Sequence, residues 1–298
     1  MMNRLLLVTV FMLTGLVSYG GGARAVVNIE GRPKTLFLDS ANASVIKYFD
    51  TANDTSASDL PRAKVKSIFF YRPSSFEKAY SLYQSGEITQ AQLSFAECKD
   101  EFKSLMALPQ NYGTRAAFYE MECARRKGDL EGLESLLKSF KPEALVNENY
   151  IAQLEIYSFW TALLKEEWDK ILEYSQKWKE KEIAGYQRAQ ILFCEGKAYA
   201  AKGNADEALN SYAAALVFSQ YKETSLIINA ANESIKLLLA QDGVAEAKDL
   251  IGSRKQNKGS KAYRYLKEAS ALAKFWNAQP KKTKVFPSKY KFLLDEEL

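Results

Sequence analysis

The sequence predicts a mainly α-helical protein, with about five helix pairs stacked as an α-solenoid, one further C-terminal helix and a small β-rich cap at the N-terminus. Three observations support this fold class. A helix–turn–helix pattern of small and aromatic residues recurs along most of the chain, residues 26–72 are instead rich in β-branched and aromatic residues, and the 298 residues include only 7 prolines. Because 47% of the residues are hydrophobic, the chain can build a folded core.

The N-terminal segment is typical of a secretory signal. Arg4 precedes an apolar run over residues 5–17, and Ala23-Arg24-Ala25 then supplies the small-x-small pattern of a signal peptidase site. We therefore predict that residues 1–25 are a cleavable signal peptide, with an uncleaved membrane anchor as the alternative. No later apolar segment approaches the roughly 20 residues of a membrane helix. The mature protein is thus expected to be exported, either periplasmic or secreted, without a transmembrane segment after cleavage.

Residues 26–72 are predicted to form a small β-rich module. Four short segments rich in β-branched and aromatic residues alternate with turn residues, and each is read as a strand. These segments are residues 26–29, 34–38, 45–49 and 65–70. So small a sheet needs support from other elements, and a repeat array needs its end covered, so the module is expected to cap the helices.

The helical pattern is clearest over residues 189–215. Gly203 is the predicted turn, and small or aromatic residues precede and follow it at spacings of three and four: Gly196, Tyr199, Ala208, Tyr212 and Ala215. Such spacing places each set on one helical face, where glycine and alanine let two helices approach closely. The pattern recurs roughly every 40 residues, with copies centred on Gly86, Gly128, Glu166 and Asp242.

This pattern resembles the tetratricopeptide repeat, and the resemblance covers roughly residues 73–278. It implies helical repeats over residues 73–253, followed by a basic capping helix and C-terminal tail over residues 254–298. The interval between copies exceeds the roughly 34 residues of the standard repeat, so longer helices or connections are expected. The resemblance indicates the fold and says little about the ligand.

The composition excludes several classes of catalytic site. The chain contains no histidine, which removes histidine-based nucleophilic sites, histidine-ligated zinc and histidine acid–base chemistry. Its three cysteines, Cys98, Cys123 and Cys194, lie among apolar neighbours in predicted helices and are expected to be buried thiols rather than a disulfide or a reactive site. We predict a protein that is not an enzyme and has no catalytic residues, metal or cofactor. A glycan-cleaving enzyme that uses two carboxylates is the remaining enzymatic alternative.

The resemblance also implies where a partner would bind. In tetratricopeptide repeats the first helix of each pair lines a concave groove, and position along the pattern gives these candidates: Tyr80, Tyr83, Arg115, Phe118, Glu122, Arg125, Arg126, Phe193, Lys197, Asn229, Asn232 and Lys236. Aromatic rings and arginine forks are common in peptide recognition. The three arginines are expected either to clamp a peptide carboxylate or to pair with Glu122 and other neighbouring acids.

Charge is concentrated near the C-terminus. Residues 254–291 contain twelve basic side chains and a single acid, in a chain whose net charge is +5. The anion-binding candidates there are Lys261, Arg264, Lys267, Lys281, Lys282 and Lys284. Export argues against nucleic acid as the partner, which leaves an anionic envelope polymer or glycolipid, an acidic protein face, or a basic surface that binds nothing. We predict a protein–protein interaction scaffold of the bacterial cell envelope that binds a segment of another envelope protein, with anionic polymer binding as the alternative.

Overall fold

The computed structural model describes residues 22–219, 223–279 and 285–295, and the predicted signal peptide lies outside them except for residues 22–25. The chain divides into two compact units, one ending at Tyr71 and the other beginning at Arg72. The first is a small antiparallel sheet and the second is helical. The protein is therefore mainly helical with a five-stranded sheet in its N-terminal part, as the composition predicts at this coarse level.

The N-terminal unit is one antiparallel sheet with the strand order β4-β3-β2-β1-β5. Its strands are β1 (Ala23–Ile29), β2 (Arg32–Ala41), β3 (Val45–Phe49), β4 (Ser58–Pro61) and β5 (Val65–Phe70). The sequence predicts four of them and misses β4, whose residues Ser-Asp-Leu-Pro bury only Leu60. This strand lies at the sheet edge, where a proline that cannot donate a ladder hydrogen bond is tolerated.

Strand β1 is central, because it pairs with β2 on one side and β5 on the other. Ala25 is fully buried and lies opposite Leu36 in β2 and Phe70 in β5. The connection to β2 is a tight turn at Glu30 and Gly31, which both have positive φ, as two-residue hairpins require. The bond after Ala25, predicted as the signal peptidase site, therefore lies inside a paired strand.

The helical unit contains eleven α-helices among its described residues. They are α1 (Ser74–Gln84), α2 (Ile88–Glu101), α3 (Tyr112–Lys127), α4 (Leu130–Ser139), α5 (Glu148–Leu164), α6 (Trp168–Trp178), α7 (Gly185–Ala201), α8 (Ala205–Ser219), α9 (Thr224–Leu239), α10 (Val244–Asp249) and α11 (Lys261–Asn277). A short 3-10 helix, Ser288–Leu294, follows in the C-terminal tail.

The first ten helices form five pairs joined by tight turns. Gly86, Gly128, Glu166 and Gly203, four of the predicted turn centres, adopt the positive φ that reverses the chain, and the fifth turn has it at Gly243, one residue after the predicted Asp242. Each helix from α1 to α11 contacts the next. In addition, α1 contacts α3, α5 contacts α7, α7 contacts α9, and α9 contacts α11.

Helices α7 and α8 approach closely where the sequence predicts contact between small and aromatic residues. A methyl group added at Gly196 would lie 2.6 Å from the ring of the fully buried Tyr212. We expect Gly196→Ala to lower the free energy of unfolding by about 1–3 kcal/mol in urea denaturation, because the clash outweighs the higher helix propensity of alanine. Gly259→Ala is the control. Its added methyl group would lie 3.6 Å from Asn257 Oδ1, an ordinary contact, so the free energy of unfolding should hardly change.

The three cysteines are free and buried, which confirms the prediction of buried thiols. Burial raises the pKa of Cys98 to about 11 and that of Cys123 to about 12. At neutral pH these thiols are protonated, and a protonated thiol is a poor nucleophile.

Candidate binding cavity

The first helices of the pairs converge on one cavity in the helical unit. Its volume is about 210 Å³, and it will be called the Arg126 cavity. Residues from α1, α3, α5 and α7, together with the residue immediately before α9, line it: Tyr80, Tyr83, Phe118, Tyr119, Glu122, Arg126, Tyr150, Gln153, Tyr186 and Glu223.

Helical spacing explains why these side chains meet. On α3, Phe118, Glu122 and Arg126 are each four residues apart and so share one face of the helix. Tyr80 and Tyr83 on α1 are three residues apart, as are Tyr150 and Gln153 on α5. Helices α1, α3 and α5 thus each present two or more cavity residues from one stripe, and α7 contributes Tyr186.

Interlocked aromatic rings form the wall of the Arg126 cavity. Tyr119 meets Tyr80 and Tyr83 edge to face at 5.3 Å, and Phe118 lies 4.5 Å from Tyr150. The Tyr119 and Tyr150 hydroxyl oxygens are 3.2 Å apart and share a hydrogen bond. Aromatic pairs of this kind contribute roughly 0.5–1.5 kcal/mol each beyond the area they bury, so the wall is held in place without a ligand.

A buried ion-pair network lies beside this wall. Arg125 Nε donates to Glu122 Oε2 at 2.6 Å, and its Nη1 and Nη2 donate to the two carboxylate oxygens of Glu223 at 2.7 and 2.9 Å. Nη2 also donates to Glu122 Oε1 at 3.3 Å. Every carboxylate oxygen of the two acids therefore accepts from the Arg125 guanidinium.

The charge on Glu223 is stabilised by its surroundings. Burial alone would raise the pKa of this carboxyl, but the charges of Arg125 and Arg126 and the Arg125 hydrogen bonds hold its pKa below the ordinary value. Glu223 is consequently ionised at neutral pH. Glu223 accepts from Arg125, which lies 98 positions earlier in the chain, so this ion pair connects the region before α9 to α3.

Arg126 differs from Arg125 because no acid among the described residues pairs with it. Its guanidinium carbon lies 4.0 Å from the centre of the Tyr83 ring, a cation–π contact. Its Nε is buried without a hydrogen-bond partner, and Arg126 forms no ion pair within the part of the chain that the structure describes. Burial raises the pKa of the nearby Tyr83 hydroxyl well above its ordinary value, so this hydroxyl stays protonated.

A second cavity adjoins the first through a shared side chain. It has a volume of about 440 Å³ and is lined by Gln110, Arg115, residues 144–147 and Tyr150, and it will be called the Arg115 cavity. Tyr150 lines both cavities. The Arg115 guanidinium carbon lies 4.7 Å from the Tyr112 ring centre and 5.2 Å from that of Phe76, and Arg115 has no ion pair among the described residues.

The structure places seven of the twelve groove residues predicted from sequence at the two cavities or in the ion-pair network beside them. Those that line the Arg126 cavity are Tyr80, Tyr83, Phe118, Glu122 and Arg126. Arg125 is fully engaged by Glu122 and Glu223, which is the pairing alternative for this arginine, and Arg115 lines the second cavity.

The remaining groove candidates lie elsewhere in the helical unit. Phe193 is buried and stacks on Trp160 at 5.7 Å. Lys197, Lys236 and Asn232 all contact Glu233. Asn229 is half-buried on α9. None of these five α7 and α9 positions is among the residues that line the two cavities.

Sequence reasoning missed Tyr119, Tyr150, Gln153, Tyr186 and Glu223. Spacing carries a signal for three of them: Tyr119 is three residues before Glu122 on α3, and Tyr150 and Gln153 are three apart on α5. Glu223 carries none, because it precedes its helix and its partner is 98 positions away.

The basic C-terminal candidates are only partly described. Lys261, Arg264 and Lys267 are exposed on α11, and Lys281, Lys282 and Lys284 lie outside the described residues. Lys261 lies over the Tyr265 ring at 5.4 Å.

No family model, no curated protein and no solved structure matches this chain. Over residues 22–219, 223–279 and 285–295, none of the helices has the length and apolar character needed to cross a bilayer.

Proposed function

We propose that the protein is a non-catalytic interaction scaffold of the bacterial cell envelope, whose helical unit binds a segment of another envelope protein at the Arg126 cavity. The observation that carries this proposal is the convergence of helices α1, α3, α5 and α7, and of the residue before α9, on one aromatic cavity. A preformed cavity with aromatic walls and a few polar groups is the usual form of a binding site.

We further propose that the helical unit is a tetratricopeptide-like solenoid. Its support is the recurrence of the hairpin roughly every 40 residues, the turn residues with positive φ, and the contacts α1–α3, α5–α7, α7–α9 and α9–α11 between successive odd-numbered helices. The odd-numbered helices are then the inner layer. The Glu223–Arg125 ion pair implies strong curvature, because it joins the second pair to the start of the fifth.

The carboxylates at the cavity favour binding over hydrolysis. A glycosidase needs a carboxyl that stays protonated near neutral pH and a second one facing it across the substrate. Here Glu122 and Glu223 are held by the same guanidinium, and the pKa of Glu223 is lowered rather than raised. The sequence also lacks histidine, the commonest alternative acid or base.

Export remains part of the proposal because of the N-terminal pattern, namely Arg4, the apolar residues 5–17 and the small residues that follow. The partner is then a protein of the envelope or of the extracellular medium.

A photo-crosslinking experiment tests the peptide-binding proposal. A benzophenone amino acid replaces Tyr186 at the cavity or, as a control, Leu93, whose side chain is 64% exposed on α2. We expect the Tyr186 position to crosslink a partner that the Leu93 position does not, and we expect Tyr119→Ala to abolish this product by removing the centre of the aromatic wall. Identical products from both positions, or products insensitive to Tyr119→Ala, would contradict the proposal.

Anionic polymer binding is a second candidate function. Arg264 and Lys267 on α11 are exposed and form no ion pair within the described parts of the chain, so their charges are accessible to an anionic ligand. We expect this function, if present, to appear as salt-sensitive sedimentation with lipopolysaccharide or cell-wall material, reduced several-fold by R264Q/K267Q. Sedimentation unaffected by both salt and this double substitution would rule it out.

A further inference from the structure

Two arginines on α3 are placed to act together. Arg115 and Arg126 are eleven positions apart, close to three full helical turns, so they lie on one face of α3 with their Cα atoms about 16 Å apart. Each lines one of the two cavities, and Tyr150 lines both. Neither arginine forms an ion pair with an acid of the described chain.

The distribution of unused hydrogen-bonding groups indicates the sign of the ligand's charge. The carboxylate oxygens of Glu122 and Glu223 already accept from Arg125, so a cation would compete with that guanidinium and be repelled by Arg126. The Arg126 guanidinium, by contrast, has a buried Nε without a partner. A ligand that supplies acceptor oxygens completes the site, because a buried donor left unpaired is costly.

We propose that the occupant is an extended acidic peptide segment, with one carboxylate bound to Arg126 and a second bound to Arg115. This inference rests on the proposed peptide-binding function and specifies its ligand. Because an extended chain advances about 3.3 Å per residue, a separation of about 16 Å corresponds to two acidic residues roughly five positions apart. Arginine suits this role, because its fork binds a carboxylate through two parallel hydrogen bonds.

Tyr150 and its neighbours would support the middle of such a segment. Tyr150 is fixed by its hydroxyl contact with Tyr119 and by packing on Phe118, so it provides a rigid surface between the two arginines. Rigid tyrosines add contact area at low entropic cost. The protonated Tyr83 hydroxyl beside Arg126 is a further available donor.

The test measures fluorescence anisotropy with fluorescein-labelled peptides. Each peptide carries two glutamates separated by about two, five or nine positions in a Gly/Ser background, and matched peptides carry glutamine at one or both sites. We expect the five-position peptide to bind best, and we expect each Glu→Gln change to weaken it about tenfold, in line with hydrogen bonds to a charged group.

Substitutions in the protein assign each glutamate to its arginine. We expect R126Q to abolish the Glu/Gln preference at one peptide position and R115Q to abolish it at the other. R126K should retain part of the preference, since lysine keeps the charge but loses the fork. Lys127→Gln is the matched control, because Lys127 is the next residue, is exposed and bonds to Gln92. Far-UV circular dichroism checks that each variant is folded.

The outcomes separate this inference from the proposed function. If glutamine peptides bind as well as glutamate peptides, or spacing has no effect, the acidic ligand is wrong while peptide binding stands. If no peptide binds but polygalacturonate binds in an Arg126-dependent manner, the occupant is a polymer and both proposals are wrong. If neither the peptides nor polygalacturonate bind, the proposed site at Arg115 and Arg126 is wrong.

Discussion

Replacement of Arg125 by methionine is expected to lower the free energy of unfolding by about 3–5 kcal/mol, because it removes the guanidinium that pairs with two buried carboxylates. Arg125 is 3% exposed and donates to Glu122 and Glu223, which are 5% and 3% exposed. Urea denaturation at pH 7.5 measures the effect.

An exposed ion pair supplies the control for this substitution. Glu173 and Lys177 on α6 are both more than half exposed, so Lys177→Met should change stability by no more than about 0.5 kcal/mol. A second variant tests the cause: R125M/E122Q/E223Q should recover part of the lost stability, because it removes the unpaired charges. If R125M is as mild as Lys177→Met, the network does not stabilise the fold.

Acidification should affect the stability of the natural chain and that of R125M in opposite directions. In the natural chain the pKa of Glu223 is lowered on folding, so its contribution is complete above its unfolded pKa of about 4.3 and is lost as the pH falls below that value. In R125M, burial without the Arg125 guanidinium should raise the pKa of Glu223, so acidification from about pH 7.5 to 5.5 should stabilise the variant relative to the natural chain. A difference in stability that does not vary with pH over this range would contradict the assignment.

A chain that begins at Val26 is expected to be less stable in its N-terminal unit than one that begins at Gly22. Residues 23–25 form the first part of β1 and pair with β2, and Ala25 also pairs with β5. Their removal deletes the ladder hydrogen bonds there and uncovers Leu36 and Phe70, at an expected cost of roughly 2–4 kcal/mol. Amide hydrogen exchange over residues 34–40 and 65–70 measures this locally, with the helical unit as the internal reference.

The same pairing bears on where a leader would be cut in cells. Cleavage after Ala25 splits a paired strand, whereas Ser18-Tyr19-Gly20 offers the same small-x-small pattern before the sheet begins. We expect the intact mass of the protein purified from cells to include residues 23–25. A mature terminus at Val26 would show that the sheet tolerates the shorter strand.

Periodicity in the sequence was sufficient for the local elements of the helical unit. Gly86, Gly128 and Gly203 identify turns because a tight reversal after a helix requires positive φ, and the structure confirms these positions. Gly196 identifies a close helix contact because no larger residue fits against Tyr212. Strand β4 was missed because its four residues bury one side chain and contain a proline.

The candidate site could be predicted only as a set of helix faces. The repeat pattern places Tyr80, Phe118 and Arg126 on the non-packing side of their helices, and all three line the cavity. The pattern contains no information on which distant faces meet, so it proposed Lys197 and Lys236 equally, although both bind Glu233. It also could not distinguish Arg125 from Arg126, because Glu122 lies within about one helical turn of both, and Glu223, the second acid that Arg125 binds, is distant in the sequence.

The bridge from Arg125 to Glu223 also sets this chain apart from arrays in which each unit touches only its neighbours. Such arrays gain or lose a unit by duplication or deletion at little cost, since stability is a sum over adjacent interfaces. Here insertion or loss of one hairpin between α3 and α9 would carry the two partners out of register and strand an arginine or a carboxylate in the interior. We therefore expect related chains to keep the number of hairpins between α3 and α9.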